Sequence, residues 1–324
     1  MAVRIHNHGG VEAMRYEEVT VASPSENQVL VRNAAIGVNY ADIYEREADH
    51  GGPHASRPLP ITLGRMAVGI VEEVGSKVSH VKAGERVGYL SPDSYATYTL
   101  VPADRALKLP DYVADDVAAG YLLRGLTAEY LVRRLYPLRP GAVALVHAAA
   151  GGMGLVLGQW GWHLGARMIG TVSSAQKAEV ARQHGYEDII NYSNEDFAKR
   201  ALELTSGRGV DVIYDGVGKV TFMGDLACIK PRGMVISYGT ASGNVGMFDL
   251  QLLHSKSIIV TRPTLRSWIS DRQEYEQAAA AFFELIEHNL ISTPIGARLP
   301  LSQAAQAHEL LQSRQTTAPV ILLP

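Results

Sequence analysis

The sequence has little cysteine, no excess of charge of one sign and no long apolar run, and each shortage excludes a class of protein. Cys228 is the single cysteine of 324 residues, which excludes an intrachain disulfide and a four-cysteine zinc site. Lysine and arginine number 30 against 33 acidic residues, which argues against binding nucleic acid or membrane by charge. The most apolar stretch, 143–158, is interrupted by His147 and by glycines and predicts no membrane span. We expect an intracellular, cytoplasmic protein.

What is present is a long chain with 47% hydrophobic residues, enough for two domains. From residue 143 onward, short apolar or β-branched runs alternate with segments that have helical spacing. This alternation predicts an α/β domain with a doubly wound parallel sheet of the Rossmann type. The predicted strands are Val143–Ala148, Arg167–Val172, Asp188–Asn191, Val210–Asp215, Met234–Tyr238 and Ser257–Thr261.

The first part of the chain has a different pattern, with short alternating strands broken by Gly, Pro and Asn. It predicts an antiparallel, partly open β-barrel. The tail contains two predicted helices and a final strand, 319–323, which we expect to return to the first domain. The predicted domains are therefore 1–120 together with 262–324, and 121–261.

A glycine-rich turn follows the first predicted strand of the second domain. It has the form Ala149-x-Gly151-x-x-Gly154, with Gly152 and Met153 between, and it precedes a predicted helix. Such a turn lets the backbone approach a pyrophosphate at a helix N-terminus. The next predicted strand ends in Ser173 and Ser174, followed by Lys177, where NAD enzymes carry an acid. These groups suit a 2′-phosphate and predict NADPH as the cofactor.

The sequence resembles the quinone oxidoreductase (zeta-crystallin-like) group of the medium-chain dehydrogenase/reductase superfamily. The resemblance implies a GroES-like partly open β-barrel catalytic domain, a Rossmann domain, NADPH in the cleft between them, and a homodimer. It is carried by motifs along nearly the whole chain: Gly37-Val38-Asn39, Gly84-Glu85-Arg86-Val87, Gly125-Leu126-Thr127-Ala128, His147–Gly154, Gly170-Thr171-Val172, Ile190-Asn191-Tyr192, Val212–Asp215, Arg232-Gly233, Thr261-Arg262-Pro263 and Ser313-Arg314.

The same resemblance implies roles for individual residues. The segment that matches the substrate wall contains Asn39, Asp42 and Tyr44. Positions that hold the 2′-phosphate match Lys177, Tyr192 and Arg314. Positions near the nicotinamide match Thr127, Tyr238, Gly239 and Ser242. We expect Asn39 and Tyr44 to donate hydrogen bonds to an acceptor oxygen on which charge develops.

The zinc-ligand positions of related alcohol dehydrogenases match Asn39, Arg65 and a position near Leu123, and none of these suits zinc. We therefore expect no metal, and hydride or electron transfer to an electron-poor acceptor. The chain departs from the family at two places near the substrate end. Arg65-Met66 stands in a stretch where the family usually has a glutamate, and the loop 45–60 differs from the family in its amino-acid sequence.

Three functions remain open at this point. The first is reduction of quinones by NADPH. The second is reduction of an activated C=C bond, as in haloacrylate reductases, for which Arg65 could anchor a carboxylate. The third is a non-enzymatic, RNA-binding role like that of some crystallin relatives, which the near-neutral charge disfavours.

Overall fold

The computed structural model describes residues 1–48, 57–313 and 316–324. Its contacts divide the chain into two compact units. The first unit consists of Met1–Leu123, Phe282–Glu287 and Thr293–Pro324, and the second of Arg124–Ala281 and His288–Ser292. None of the helices described there combines the length and the apolar content needed to cross a bilayer.

Strands and helices are numbered in chain order. The strands are β1 (Ala2–Ile5), β2 (Met14–Glu17), β3 (Gln28–Gly37), β4 (Ile61–Thr62), β5 (Met66–Val74), β6 (Arg86–Leu90), β7 (Tyr98–Pro102), β8 (Ala106–Lys108), β9 (Val143–Val146), β10 (Arg167–Val172), β11 (Asp188–Asn191), β12 (Val210–Asp215), β13 (Ile229–Ser237), β14 (Ile259–Thr261), β15 (Ala297–Pro300) and β16 (Val320–Leu323). The helices are α1 (Tyr40–Glu47), α2 (Asp115–Glu129), α3 (Gly152–His163), α4 (Ala175–Arg182), α5 (Phe197–Leu204), α6 (Phe222–Cys228), α7 (Gln251–His254), α8 (Leu265–Trp268), α9 (Arg272–Glu287) and α10 (Ala304–Gln312). Single 3-10 turns cover Val11–Ala13, Ala103–Arg105 and Leu301–Gln303, and a π-helical turn, Tyr130–Leu135, follows α2.

The first unit is built from two sheets. A seven-stranded sheet has the order β15-β16-β3-β5-β6-β8, with β7 paired to β3, and a three-stranded sheet has the order β2-β1-β4. All pairs in them are antiparallel except β15 with β16. Strand β3 pairs with three neighbours over ten residues and is therefore the centre of this unit. Its inward side chains, including Val29, Val31 and Ile36, pack in one core cluster with β16 and α10.

The second unit contains a six-stranded, entirely parallel sheet in the order β11-β10-β9-β12-β13-β14. Leu145, Ile169, Ile213 and Val235 lie side by side in its register and are fully buried. Helices cover both faces of such a sheet, so its strands consist of continuous apolar runs. The predicted fold class is confirmed. All six predicted strands are present, and β10, β11 and β12 begin and end at the predicted residues.

The contact division differs from the predicted boundary at residue 262. The Trp268 ring stacks on Tyr130 with centroids 5.3 Å apart, and the Arg134 guanidinium lies 5.2 Å from the Trp268 ring centre. These contacts hold 262–281 to the second unit. The end of α9, Phe282–Glu287, and the later part of the tail, with β15, α10 and β16, return to the first unit.

Candidate active site

The glycine-rich turn connects β9 to α3 in the second unit. Ala148 has a left-handed φ of 52°, and the Gly151 N–H donates to the Ala148 carbonyl at 2.8 Å. A methyl group added at Gly154 would lie 2.4 Å from the Ala149 oxygen, so only glycine lets the helix approach the turn this closely. Helix α3 is 12 residues long, and its free N–H groups and its dipole favour an anion at this N-terminus. The turn therefore fits a dinucleotide pyrophosphate.

Arg124 of α2 lies against this turn, and the sequence analysis does not predict it. The side chain is only 6% exposed, and a methyl group added at Gly152 would lie 2.6 Å from its Nε. A guanidinium here adds positive charge where a phosphate is expected. Thr127, one turn further along α2, is also buried. The one sequence signal for Arg124 is its place directly before the Gly125–Ala128 motif.

The predicted 2′-phosphate residues meet at the carboxyl ends of β10 and β11. Ser174 is the N-cap of α4 and accepts from the Lys177 backbone N–H at 3.3 Å. The Tyr192 N–H donates to the Val172 carbonyl at 3.1 Å, which places this half-exposed tyrosine beside Ser173 and Ser174. The Ser174 hydroxyl keeps its hydrogen for an outside acceptor. The remaining predicted member, Arg314, lies outside the described residues.

The predicted nicotinamide-side residues pack on the turn after β12. The N–H groups of Tyr238 and Gly239 donate to the Asp215 carbonyl at 2.8 and 3.2 Å. The Ser242 hydroxyl donates to the Val217 carbonyl at 2.8 Å. The structure thus brings Tyr238, Gly239 and Ser242 together at the carboxyl ends of β12 and β13, the edge of the sheet where such folds bind their ligands.

A buried histidine–aspartate pair joins the glycine-rich turn to the rest of the sheet. His147 Nε2 lies 2.7 Å from Asp225 Oδ1 in α6, and His147 Nδ1 lies 2.9 Å from Thr171 Oγ1 in β10. Burial raises the pKa of Asp225 to about 6, although His147 opposes this rise. Burial disfavours the charge on His147, but Asp225 outweighs it and raises the imidazole pKa. Both oxygens of nearby Asp215 accept hydrogen bonds from the turn after β12.

In the first unit, the predicted catalytic residues lie at the start of α1. Asn39 is the N-cap, and its backbone N–H donates to Asp42 Oδ2 at 2.8 Å. Asn39 and Asp42 are buried, whereas Tyr44 is half-buried with its ring 6.2 Å from that of Tyr40. One helix therefore places all three residues together, and two of them also cap it.

A directed chain of hydrogen bonds leads to Asp42 from residues that are distant in sequence. Arg46 Nη1 lies 3.0 Å from His308 Nδ1. Because a guanidinium only donates, Nδ1 accepts, and Nε2 carries the hydrogen toward the Tyr95 hydroxyl at 3.0 Å. Tyr95 then donates to Asp42 Oδ2 at 3.2 Å. Burial and the Arg46 charge lower the pKa of His308 to about 3, so its imidazole is neutral. Burial raises the pKa of Asp42 to about 7, against the charge of Arg65.

Glu45, on the same helix, binds two arginines. Its fully buried carboxylate oxygen Oε1 lies 3.0 Å from Arg65 Nη2 and 3.2 Å from Arg57 Nη1. Arg57 Nη2 also reaches Asp93 Oδ1 at 2.6 Å. The sequence analysis singled out Arg65 but not its partner, because nothing local links residues 45, 57 and 65.

Comparison with known proteins identifies the family. Two family models match, the alcohol dehydrogenase GroES-like domain over residues 25–111 and zinc-binding dehydrogenase over residues 152–284. Quinone oxidoreductase 1 of Escherichia coli (strain K12) is 42% identical over 331 residues, with 100% of both chains covered. This chain belongs to the quinone oxidoreductase group of the medium-chain dehydrogenase/reductase superfamily.

Two further relatives extend this result. A 2-haloacrylate reductase of Burkholderia sp is also 42% identical, over 335 residues, with 100% of this chain and 99% of the other covered. The crystal structure of E. coli quinone oxidoreductase complexed with NADPH is similar with a TM-score of 0.96 and 41% identity, covering 100% of this chain and 99% of that one. The predicted family is confirmed, and the chain is an oxidoreductase.

Because one matching family is described as zinc-binding, we tested whether the residues at its ligand positions fit zinc in this quinone oxidoreductase homologue. The Asn39 side-chain amide donates to the Gly37 carbonyl at 3.3 Å, Arg65 is paired with Glu45, and the Leu123 side chain has no atom that can ligate a metal. Zinc requires thiolate, imidazole or carboxylate ligands, so these three positions do not fit it.

Proposed function

We propose that this protein reduces quinones with NADPH and without a metal. The observation that carries the proposal is the edge formed by Ser173, Ser174 and Lys177, with no acid, in a Rossmann sheet next to a glycine-rich turn. NADPH, when bound, supplies a hydride. The quinone takes up this hydride and one proton to become a hydroquinone, and NADP⁺ is released.

The second unit is proposed to hold the cofactor. The turn at 149–154 and Arg124 bind the pyrophosphate by backbone N–H groups and a guanidinium. Ser174, Lys177 and Tyr192 bind the 2′-phosphate, and Arg314 joins them by family resemblance. Thr127, Tyr238, Gly239 and Ser242 face the nicotinamide.

The first unit is proposed to hold the acceptor. Tyr44 and Asn39 donate hydrogen bonds to the acceptor oxygen, which becomes negatively charged as the hydride arrives. Asp42 orients this segment through its bonds to the Asn39 N–H and the Tyr95 hydroxyl. These hydrogen bonds at the start of α1 support an oxyanion site that is formed before the acceptor binds.

The test is an absorbance assay of NADPH oxidation with a panel of quinones, enones and acrylates. We expect quinones to be reduced, NADPH to be preferred to NADH, and activity to survive prolonged chelation. Failure to oxidise NADPH with any quinone would overturn the proposal. Loss of activity on chelation, with stoichiometric zinc in the protein, would overturn the metal-free mechanism.

Reduction of an activated C=C bond is the second candidate. It is favoured by the 2-haloacrylate reductase, which is as similar to this chain as the E. coli quinone oxidoreductase is. The same panel ranks the two activities.

We also propose a homodimer formed through the second unit. Strand β14 ends the parallel sheet, and its outer edge has no strand partner among the described residues. Ile259 on this strand is 49% exposed, and exposed Met247 and Leu250 precede it in the chain. An apolar, unpaired edge invites pairing with a second copy. Sedimentation of Ile259→Lys should show a monomer where the wild type is a dimer.

The cytoplasmic location stays a prediction from the single cysteine.

A further inference from the structure

Five charged residues form a group in the first unit, here named the α1 charge cluster: Asp42, Glu45, Arg57, Arg65 and Asp93. Glu45 accepts from both arginines through one oxygen, at 3.0 and 3.2 Å, and Arg57 also reaches Asp93. Asp42 belongs to the same electrostatic group. Burial raises the pKa of Asp42 most, while Arg65 lowers it and Glu45 raises it further. Tyr44, the proposed donor to substrate, lies between the two acids on α1.

The charge balance of this cluster leaves no surplus cation. Two guanidinium groups face the carboxyl groups of Asp42, Glu45 and Asp93. A carboxylate substrate needs an anchoring cation whose charge is not already neutralised. Arg65 is the residue whose side chain suggests such an anchor, yet its Nη2 lies 3.0 Å from a carboxylate that is fully buried. Binding a second carboxylate there would draw Arg65 away from the buried Glu45 carboxylate, which would then keep only Arg57.

Three buried polar atoms of the cluster have no partner among the described residues. They are Asp42 Oδ1, Glu45 Oε2 and Arg65 Nε, two acceptors and one donor. Buried polar atoms are nearly always hydrogen-bonded, so this set points to a ligand or a water. A quinone oxygen can accept from such an N–H, and the hydroquinone product can donate O–H groups to such carboxyl oxygens. A carboxylate ligand would instead meet the carboxylate oxygen of Glu45, which carries a charge of the same sign.

We propose that Glu45 is the specificity-determining residue of the acceptor site: it occupies Arg65 and Arg57, so that the site takes uncharged acceptors and rejects carboxylates. The inference rests on the proposed function, because it takes α1 as the substrate wall. It separates this chain from the relative whose name specifies a substrate that bears a carboxylate, a 2-haloacrylate.

The experiment compares 2-chloroacrylate with its methyl ester, which has the same reacting alkene and no charge, alongside a quinone. For each protein, kcat/KM is measured with NADPH for the acid and the ester, and their ratio is compared between variants. In this comparison the different intrinsic reactivity of acid and ester cancels. We expect the wild type to favour the ester. Glu45→Gln frees Arg65, while Arg57 keeps Asp93, and it should shift the ratio toward the acid by about tenfold or more. The quinone rate should change much less.

Glu47→Gln is the matched control, because Glu47 lies on the same helix and also pairs with an arginine, Arg46. It should leave the ratio unchanged.

Two results would overturn the inference: a wild type that prefers the acid, or a folded Glu45→Gln protein with an unchanged ratio. If Glu45→Gln does not fold, Arg65→Met in the wild-type background provides the second test. With Arg65 removed, Glu45 keeps only Arg57, so the acid should lose several-fold relative to the ester, and no change would overturn the inference. If the wild type reduces neither quinone nor ester, the proposed function fails instead, which distinguishes the two results.

Discussion

The two units build their candidate sites by different physical means. The second unit offers an anion site made of backbone N–H groups, glycines and a helix dipole, all from short segments at strand ends. The first unit relies on buried side-chain charges, with Asp42 reached from Arg46 through His308 and Tyr95, and Glu45 held by two arginines. Backbone groups have a fixed position, and their protonation does not change with pH. Buried charges depend on every partner, so their site responds more strongly to single substitutions and to pH.

The second unit also contains a buried charged pair, His147–Asp225, and this pair is the strongest test of the contrast between the two units. Asp225→Ala should lower the free energy of unfolding by about 3–5 kcal/mol, because it leaves a buried imidazole without its partner. Thermal denaturation measures the loss. Glu179→Ala, which removes an exposed pair with Arg182, should change stability by less than about 0.5 kcal/mol. Equal, small effects of both variants would mean that the histidine–aspartate pair contributes no net stability.

Tyr44 tests whether the first unit acts on the acceptor. Tyr44→Phe should raise the activation free energy with enones or acrylate esters by up to about 3 kcal/mol, and so lower the rate, because it removes a donor to the developing enolate. Quinones are better acceptors and should be affected less, and NADPH affinity should hardly change. Tyr40→Phe is the control, since the Tyr40 hydroxyl donates to the Leu311 carbonyl at 3.0 Å. Rates within about twofold for Tyr44→Phe and for Asn39→Ala with both substrates would show that the acceptor binds elsewhere.

Asp42 tests the pH response of the first unit. Its folded pKa of about 7 lies above the ordinary value of 3.8, so between these values the folded protein holds a proton that the unfolded chain has lost. This contribution to stability is complete below about pH 4 and disappears as the pH rises through 7. Asp42→Asn keeps an acceptor for the Asn39 N–H and should remove about 2–3 kcal/mol of the decline between about pH 5 and pH 8. Denaturant unfolding at both pH values measures it.

The exposed Asp104→Asn variant is the control for this pH series, since Asp104 is 56% exposed and should follow the wild type. Parallel pH curves for the wild type and Asp42→Asn would contradict the raised pKa.

Lys177 gives the smallest expected effect, because it supplements a cofactor site that the backbone mainly builds. Lys177→Ala should weaken NADPH binding by about tenfold and leave NADH binding nearly unchanged, since a single charge-assisted bond to the 2′-phosphate is lost. Lys199→Ala, an exposed lysine of the same unit, is the control and should change neither affinity. Titration of both cofactors measures the difference. Equal affinity of the wild type for NADPH and NADH would contradict the assignment.

The sequence alone was sufficient for the second unit's architecture, whereas the roles given to its cofactor residues stay predictions. Strands β10, β11 and β12 were predicted to the residue because a parallel strand buried on both faces is a continuous apolar run. The glycine-rich turn and Ser173-Ser174 adjoin those strands, so their position follows from the strand ends. The first unit was predicted only as a class, because the register of antiparallel strands such as β3 and β7 is set by partners that are distant in sequence.

Only the tertiary structure decided which side chains meet. Tyr95 and His308 are 213 residues apart, yet their side chains lie 3.0 Å from each other beside Asp42. Arg124 reaches the glycine-rich turn from another helix, and Glu45 meets Arg65 through the packing of α1. Periodicity in the sequence depends only on residues that are near each other in the chain. Burial and charge pairing depend on residues that are distant in sequence and become neighbours when the chain folds. For this reason the cofactor type was visible in the sequence, and the charge balance at the acceptor end was not.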